Sequence, residues 1–377
     1  MDPVVALLRE LVAIDSVNPS LVPGGAGEAA LVAHLERVCR AGGLDASVAE
    51  AAPGRPNLVA VVDGRTPGRT LMFCGHSDTV GVAGMASPFV PVEREGRLYG
   101  RGAQDMKGGL AAMFGAVLQV VASGGLERGR LVVAAVADEE YASLGADALV
   151  KDWRADAAVI PEPTDLQICT AHKGFAWIRV ETRGIAAHGS RPDEGRDAIF
   201  RMGRVLAALE QRDRQLAATA PDARLGRASL HASTISGGGE WSTYPDSCVL
   251  ELERRTVSGE DGSRALAEVQ DVLAVLRQAD TEFLGSAMLA FSRPPYVLDP
   301  SAELPQLLDR VCRTAGRAAG FASMPFWTDA AILGGAGIPT VLFGPGGAGL
   351  HGHDEYVRVD DVVACRDALV ALAREYC

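Results

Sequence analysis

The sequence predicts an α/β protein, a mainly parallel sheet covered by helices, with a smaller α+β domain inserted into it. Three observations carry this. Short apolar runs at 58–62, 70–74, 130–137, 157–160 and 339–343 show no polar alternation and are interleaved with helical patterns, as in strands buried on both faces. Four of these runs lead straight into histidine or acid: His76, the Asp138-Glu139-Glu140 triplet, Glu162, and a glycine loop ending at His351. Ligands of open α/β sheets bind beyond the carboxyl ends of the strands. Between about 173 and 295 the texture changes to strands of alternating apolar and polar residues.

Taken in order, residues 3–14 and 28–40 carry apolar side chains at helical spacing, and Gly42-Gly43 ends the second helix. His34 in that helix reads as structural. The run at 70–74 feeds Gly75-His76-Ser77-Asp78. Next comes Tyr99-Gly100-Arg101-Gly102-Ala103-Gln104-Asp105-Met106-Lys107-Gly108-Gly109, one acid in a glycine loop, followed by an uncharged run to Gly125. Asp105 sits just ahead of a predicted helix, where the helix dipole favours a carboxylate. The Gly and Ala content of that helix, with Gln119 inside, points to burial against a sheet and not to a membrane span. Within 173–295 the predicted order is strand (175–182), helix (195–210), strand (230–235), strand (248–256), helix (263–278), strand (287–291). This β-α-β-β-α-β order suits two helices on an antiparallel four-stranded sheet. The expected domains are therefore 1–172 with 296–377, and 173–295 inserted between them.

Lys and Arg number 36 against 48 Asp and Glu, a net charge of -12. That balance argues against nucleic acid or an anionic membrane as a partner. The seven cysteines are scattered without a CxxC pair, and the N-terminus shows no basic, apolar leader, so a cytoplasmic location is expected.

The candidate ligands are His76, Asp105, Glu139, Glu140, Glu162 and His351. Imidazole and carboxylate together suit zinc and related divalent ions. Five ligands and one spare carboxylate exceed one tetrahedral ion but fit two ions sharing a carboxylate, a site type used in hydrolysis. Two divalent ions bring four positive charges, and three ligating carboxylates with a bridging hydroxide remove them. Such a site can be buried.

The chain resembles the M20 di-zinc amidohydrolases and peptidases, a family that includes acetylornithine deacetylase, succinyl-diaminopimelate desuccinylase and glutamate carboxypeptidase-like enzymes. The motifs are GHSDTV (75–80), YGRGAQDMKGG (99–109), DEE (138–140), PEPT (161–164), AHGSRPDEGRDAI (187–199), ERRTVSGE (253–260) and FGPGGAGLHGHDEYV (343–357). The resemblance implies that His76 and Glu162 complete one ion's set, that Glu140 and His351 hold the other, and that Asp105 bridges them, followed by a cis peptide to Met106. It implies that Asp78 fixes the His76 ring and that Glu139 is the general base. His351 is preferred to His353 because the family pattern H-x-x-D/E-E then falls on Asp354-Glu355. In the inserted domain, the resemblance implies that His188 reaches a partner subunit's active site and steadies the oxyanion, and that Arg255 holds the substrate carboxylate. Pro161, Ser242 and Ser258 depart from common family residues. Ser242 stands where an Asn often contacts substrate.

The function implied is hydrolysis of the amide of a small N-acyl amino acid, deacetylase- or desuccinylase-like, by water activated between two divalent ions. Zinc is the expected metal and cobalt the other candidate. The alternative is a carboxypeptidase or dipeptidase acting on short peptides with a free C-terminal carboxylate. A homodimer through the inserted, lid-forming domain is implied as well. A dinucleotide-dependent oxidoreductase is a poor rival, because the third position of its glycine loop is Asp105, which would repel a pyrophosphate. A ligand-binding relative without catalysis is disfavoured by the intact ligand set.

Overall fold

The structure, a computed structural model, describes residues 1–82 and 84–377. The main strands of the two larger sheets are β1 (Asp45–Ala52), β2 (Arg55–Asp63), β3 (Thr66–His76), β4 (Arg128–Val136), β5 (Ala157–Ile160), β6 (Ile168–His172), β7 (Gly174–Arg183), β8 (Ser229–Gly237), β9 (Ser247–Thr256), β10 (Leu284–Arg293) and β11 (Thr340–Leu342). The helices used below are α1 (Pro3–Val12), α2 (Gly108–Ala122), α3 (Ala198–Ala218), α4 (Gly262–Ala279) and α5 (Val359–Tyr376).

The chain divides into two compact units: Met1–Thr170 with Leu298–Ala322 and Thr328–Cys377, and Ala171–Val297 with Ser323–Trp327. The nine-stranded sheet runs β1-β2-β4-β3-β5-β11-β6, with the short strands Tyr296–Val297 and Phe321–Met324 also paired on β6. Its centre is parallel: β3 runs with β4 and with β5, and β5 with β11. Its flanks are antiparallel, through β1–β2, β2–β4 and β11–β6. The expectation of a mainly parallel sheet therefore holds for the central strands that carry ligands. The flanks escape it because a purely apolar run states burial, not direction.

α2 is buried from Gly108 to Val120 along most of its length and packs on β3, β4, α1 and α5. Its uncharged sequence is that of a helix with neighbours on nearly every side. Asp2 caps α1 by accepting from Val4 N at 2.9 Å, and is itself held by Arg366 of α5 at 2.7 Å.

A third, small sheet joins Gly347–Ala348, Tyr356–Arg358, Arg97–Tyr99 and Val92–Arg94. It pairs Tyr356 with Tyr99 and so brings the chain after His351 beside the loop holding Asp105.

In the second unit the order is β8-β9-β7-β10, all antiparallel. α3 and α4 cover one face, with Met202, Val205, Leu209, Val269 and Leu273 against Ile178, Val180, Leu250 and Leu252. Asp197 and Asp261 cap the two helices by accepting from Phe200 N and Arg264 N. α3 begins three residues after the glycine that opens its predicted span and runs eight beyond the predicted end, where Arg214 pairs with Glu210 at 2.6 Å on its exposed face.

Candidate metal centre

The site is assembled from four strand ends and one loop of the first unit. β3 ends at His76, β4 runs into Asp138-Glu139-Glu140, β5 into Pro161-Glu162, and the segment after β11 reaches His351. Between them lies a single π-helical turn, Ala103–Lys107, with Asp105 and Met106 in non-helical conformations. The Asp105–Met106 peptide is cis.

Two ligand groups converge, and Asp105 belongs to both: His76, Asp105 and Glu162, and Asp105, Glu140 and His351. In each, the candidate donor atoms lie within 4.8 Å of one another. Asp105 Oδ1 is 3.0 Å from His76 Nε2, and Asp105 Oδ2 is 3.3 Å from His351 Nε2. His76 Nε2 lies 3.9 Å from Glu162 Oε1, and His351 Nε2 3.2 Å from Glu140 Oε2. Each oxygen of one carboxylate thus faces a different histidine.

The donor set fits divalent cations on two counts. Among the described residues, Glu140 Oε1 is buried without a hydrogen-bond partner, and such an oxygen is costly unless a cation takes it. The titration of the groups tells the same story. Burial alone would lower His76, yet the adjacent carboxylates of Asp105 and Asp78 carry it well above its ordinary value. Hydrogen bonds to Asp105 and Glu140 raise His351 to about 10. Burial would raise Asp105, but its bonds to His351 and His76 hold it far below the usual carboxylate range. Burial, then the charge of Asp105, raises Glu140 to about 7. Burial lifts Glu139 and Glu162 well above the carboxylate range. The cluster has a surplus of buried negative charge and draws protons onto its imidazoles, a role that divalent ions fill better.

Asp78 does more than the sequence suggested. Its main-chain carbonyl lies 3.0 Å from His76 Nδ1, whereas its carboxylate is 3.6 Å from that nitrogen. The carboxylate instead accepts from the N–H groups of Glu139 at 3.1 Å and Glu140 at 3.2 Å. One acid therefore orients a histidine ligand through its backbone and a carboxylate pair through its side chain.

Glu355 is the largest omission of the sequence reading, where it served only to locate His351. It is buried, receives Arg101 Nη1 at 2.6 Å, and accepts from Gly102 N, Gln104 N and Asp105 N at 3.0, 2.9 and 3.1 Å. It thereby ties down the backbone that presents Asp105. The signal was present in the acid pair after His351 and in Arg101 between two glycines. Gly109 matters by its lack of a side chain, because a Cβ there would collide with the carbonyl of Pro161, next to Glu162. His353 is exposed, its ring lying against Gly84.

His188 and Arg255 belong to the second unit. His188 is exposed on a loop whose backbone pairs with Thr243. Its Nδ1 lies 2.8 Å from Ser190 Oγ and 3.2 Å from Ser190 N. Arg255, on β9, donates from Nε to Glu253 Oε1 at 2.7 Å, and its guanidinium lies 5.7 Å from the Phe175 ring centre. Glu253 also accepts from Trp177 Nε1 at 3.0 Å. The Arg255 fork is thus held from one side.

Comparison with known proteins gives a consistent picture. The family described as peptidase family M20/M25/M40 matches residues 72–375. An acetylornithine deacetylase of Myxococcus xanthus is 32% identical, covering 99% of this chain and 97% of that one. A succinyl-diaminopimelate desuccinylase of Gluconacetobacter diazotrophicus is 30% identical, covering 98% and 96%. Among solved structures, a tripeptidase from Staphylococcus aureus shares the fold with a TM-score of 0.81 at 22% identity, covering 99% and 98%.

Proposed function

This chain belongs to peptidase family M20/M25/M40 and is a metallohydrolase of that family, and from that premise we propose that it hydrolyses the amide bond of a small N-acyl amino acid. The single observation that carries the reading is Asp105 with one oxygen toward His76 and the other toward His351. That arrangement supports two divalent ions, zinc first and cobalt second, held by His76, Asp105 and Glu162 and by Asp105, Glu140 and His351. Bound there, the ions would supply Lewis acidity at the scissile carbonyl and acidify water.

Glu139 is the acid left over from the ligand groups. It lies next to a ligand, and its backbone is pinned by Asp78. Burial, with the neighbouring acids Glu162, Asp329 and Glu140, makes it a stronger base than an ordinary carboxylate. It takes a proton from the attacking water and gives it to the leaving amine nitrogen. Arg255 holds the substrate carboxylate by its guanidinium fork. His188, reaching into the active site of the partner subunit, donates to the developing oxyanion, worth about 3 kcal/mol for one good donor. The relatives named as a deacetylase and a desuccinylase support an acyl amino acid over a peptide as substrate. We further propose a homodimer through the second unit. β8 is an edge strand exposed from His231 to Gly237, and Phe200, Ile235 and Trp241 present apolar side chains to solvent.

The test is a panel of N-acetyl and N-succinyl amino acids against dipeptides, assayed with zinc- or cobalt-loaded protein. Turnover of the acyl amino acids is expected, and turnover of dipeptides alone would shift the reading to a dipeptidase. Glu139→Ala is expected to keep its metal content and lose about 100-fold or more in kcat. Parental turnover in that variant would end the role given to Glu139. Light scattering of the intact protein reads the dimer, and a monomer at assay concentration would remove it.

A further inference from the structure

A buried hydrogen-bond network lies behind the metal centre, and the proton-transfer chemistry does not use it. Two carboxylates, Asp78 and Asp138, stand side by side at 1% and 0% exposure. Asp138 has a cationic partner, Arg55 Nη2 at 3.0 Å, and Arg55 is doubly held by the buried Glu28 at 2.5 and 2.8 Å. Among the described residues, Arg55 bonds Glu28, Ser20 and Asp138 but not Asp78. What joins the two acids is Asn18. Its Nδ2 donates one hydrogen to Asp78 Oδ2 at 2.7 Å and the other to Asp138 Oδ1 at 3.0 Å.

Asn18 is itself clamped. It is fully buried, its N–H donates to Thr79 O at 2.9 Å, and its Oδ1 accepts from Ser20 N at 2.8 Å. An amide that donates twice between two acids relieves a repulsion that would be severe without water. It also couples the two ends of one turn. Asp138 begins the turn in a left-handed conformation, φ 71°, and its carbonyl accepts from Ala142 N at 3.0 Å and Ser143 N at 2.5 Å. Asp78 grips the next two residues by their N–H groups. With Asn18 in place, the separation of Glu139 from Glu140 and the approach of both to His76 are set by one rigid frame.

We infer that Asn18 is a positioning residue, whose side-chain amine ties Asp78 to Asp138 and thereby holds Glu139 and Glu140 in register with the metal centre. The inference rests on the roles proposed above for those two acids. Asn18 touches neither substrate nor ion and acts through Asp78.

The test compares Asn18→Ala with Asn57→Ala in zinc-loaded protein. Asn57 is also buried and bonds the start of the same turn, to Gly145 O at 2.8 Å and from Ala137 N at 3.0 Å, but does not touch Asp78. Both variants are expected to melt earlier than the parent. Only Asn18→Ala is expected to lose about 10- to 100-fold in kcat with KM unchanged, and to release zinc to a competing chelator at a correspondingly lower chelator concentration. If both variants match the parent in kcat per folded chain and in zinc affinity, Asn18 is merely structural and the inference falls. Should Asn18→Ala not fold, Asn18→Ser, which keeps one donor in place of two, is read by the same two measures. Zinc affinity needs no substrate. A parent that hydrolyses nothing in the panel would therefore defeat the proposed reaction while leaving Asn18 to be decided by the chelator titration.

Discussion

Asp105 shows at the scale of one residue what the site requires. Its two oxygens face different imidazoles, so it can serve two ions only as a carboxylate free at both ends. Asp105→Asn is therefore expected to lower zinc stoichiometry from two ions per chain to one or none. Elemental analysis after gel filtration checks this, and two retained ions would refute the bridge. The outcome differs for Glu355. Glu355→Ala strands Arg101, 2% exposed, without its carboxylate and frees three backbone N–H groups. Breaking a buried pair costs about 3–5 kcal/mol. Urea denaturation of the metal-loaded variant is expected to show a loss of that order, and a change below about 1 kcal/mol would mean that the loop holds itself.

Among elements, the start of α2 decides how closely the glycine loop can approach β5. Gly109→Ala sets a methyl group against the backbone carbonyl of Pro161, which cannot rotate away as a side chain would. Overpacking of this kind costs about 1–3 kcal/mol, and the strand end carrying Glu162 must yield. The expected result is an earlier melt together with weaker retention of one zinc ion, read by chelator titration. An unchanged affinity would show that Glu162 is positioned from elsewhere.

The strand ends themselves were legible in the sequence, because uniform apolar runs followed by His or acid mark buried strands opening onto a site. The small sheet of Arg97–Tyr99 and Tyr356–Arg358 was not legible. Three-residue strands carry too little periodicity to be seen, and their pairing spans more than two hundred positions.

For the whole molecule, stability depends on ions and on pH. Chelation should lower the melting temperature, since ligand binding to the folded state alone is worth about 4 kcal/mol at a thousand times Kd. The second unit has its own pH dependence. Burial lowers His172 to about 4 from an ordinary 6.5, although its bond to Lys173 O opposes this. The folded state keeps the ring neutral, while the unfolded chain takes up a proton below about 6.5. This contribution is therefore complete above that pH and declines as pH falls toward 4, by about 3 kcal/mol in all. Three of the four tryptophans, Trp177, Trp241 and Trp327, lie in that unit, so urea unfolding followed by their fluorescence reads it. His172→Gln should flatten the slope between pH 6.5 and 4, and equal slopes would assign the effect to other groups.

The sequence alone determined which side chains are available, His76, Asp105, Glu139, Glu140, Glu162 and His351, and that strand ends present all of them but Asp105, which a glycine loop presents, because hydrophobic pattern and residue chemistry are local properties. Only the tertiary structure decided which oxygen meets which imidazole, that Asp78 grips the Glu139–Glu140 backbone, and that Asn18 and Glu355 hold the frame. Those are contacts between residues 29 to 254 positions apart. Hydrogen bonds form or fail over tenths of an ångström, and no spacing along the chain encodes a distance that depends on how the sheet closes.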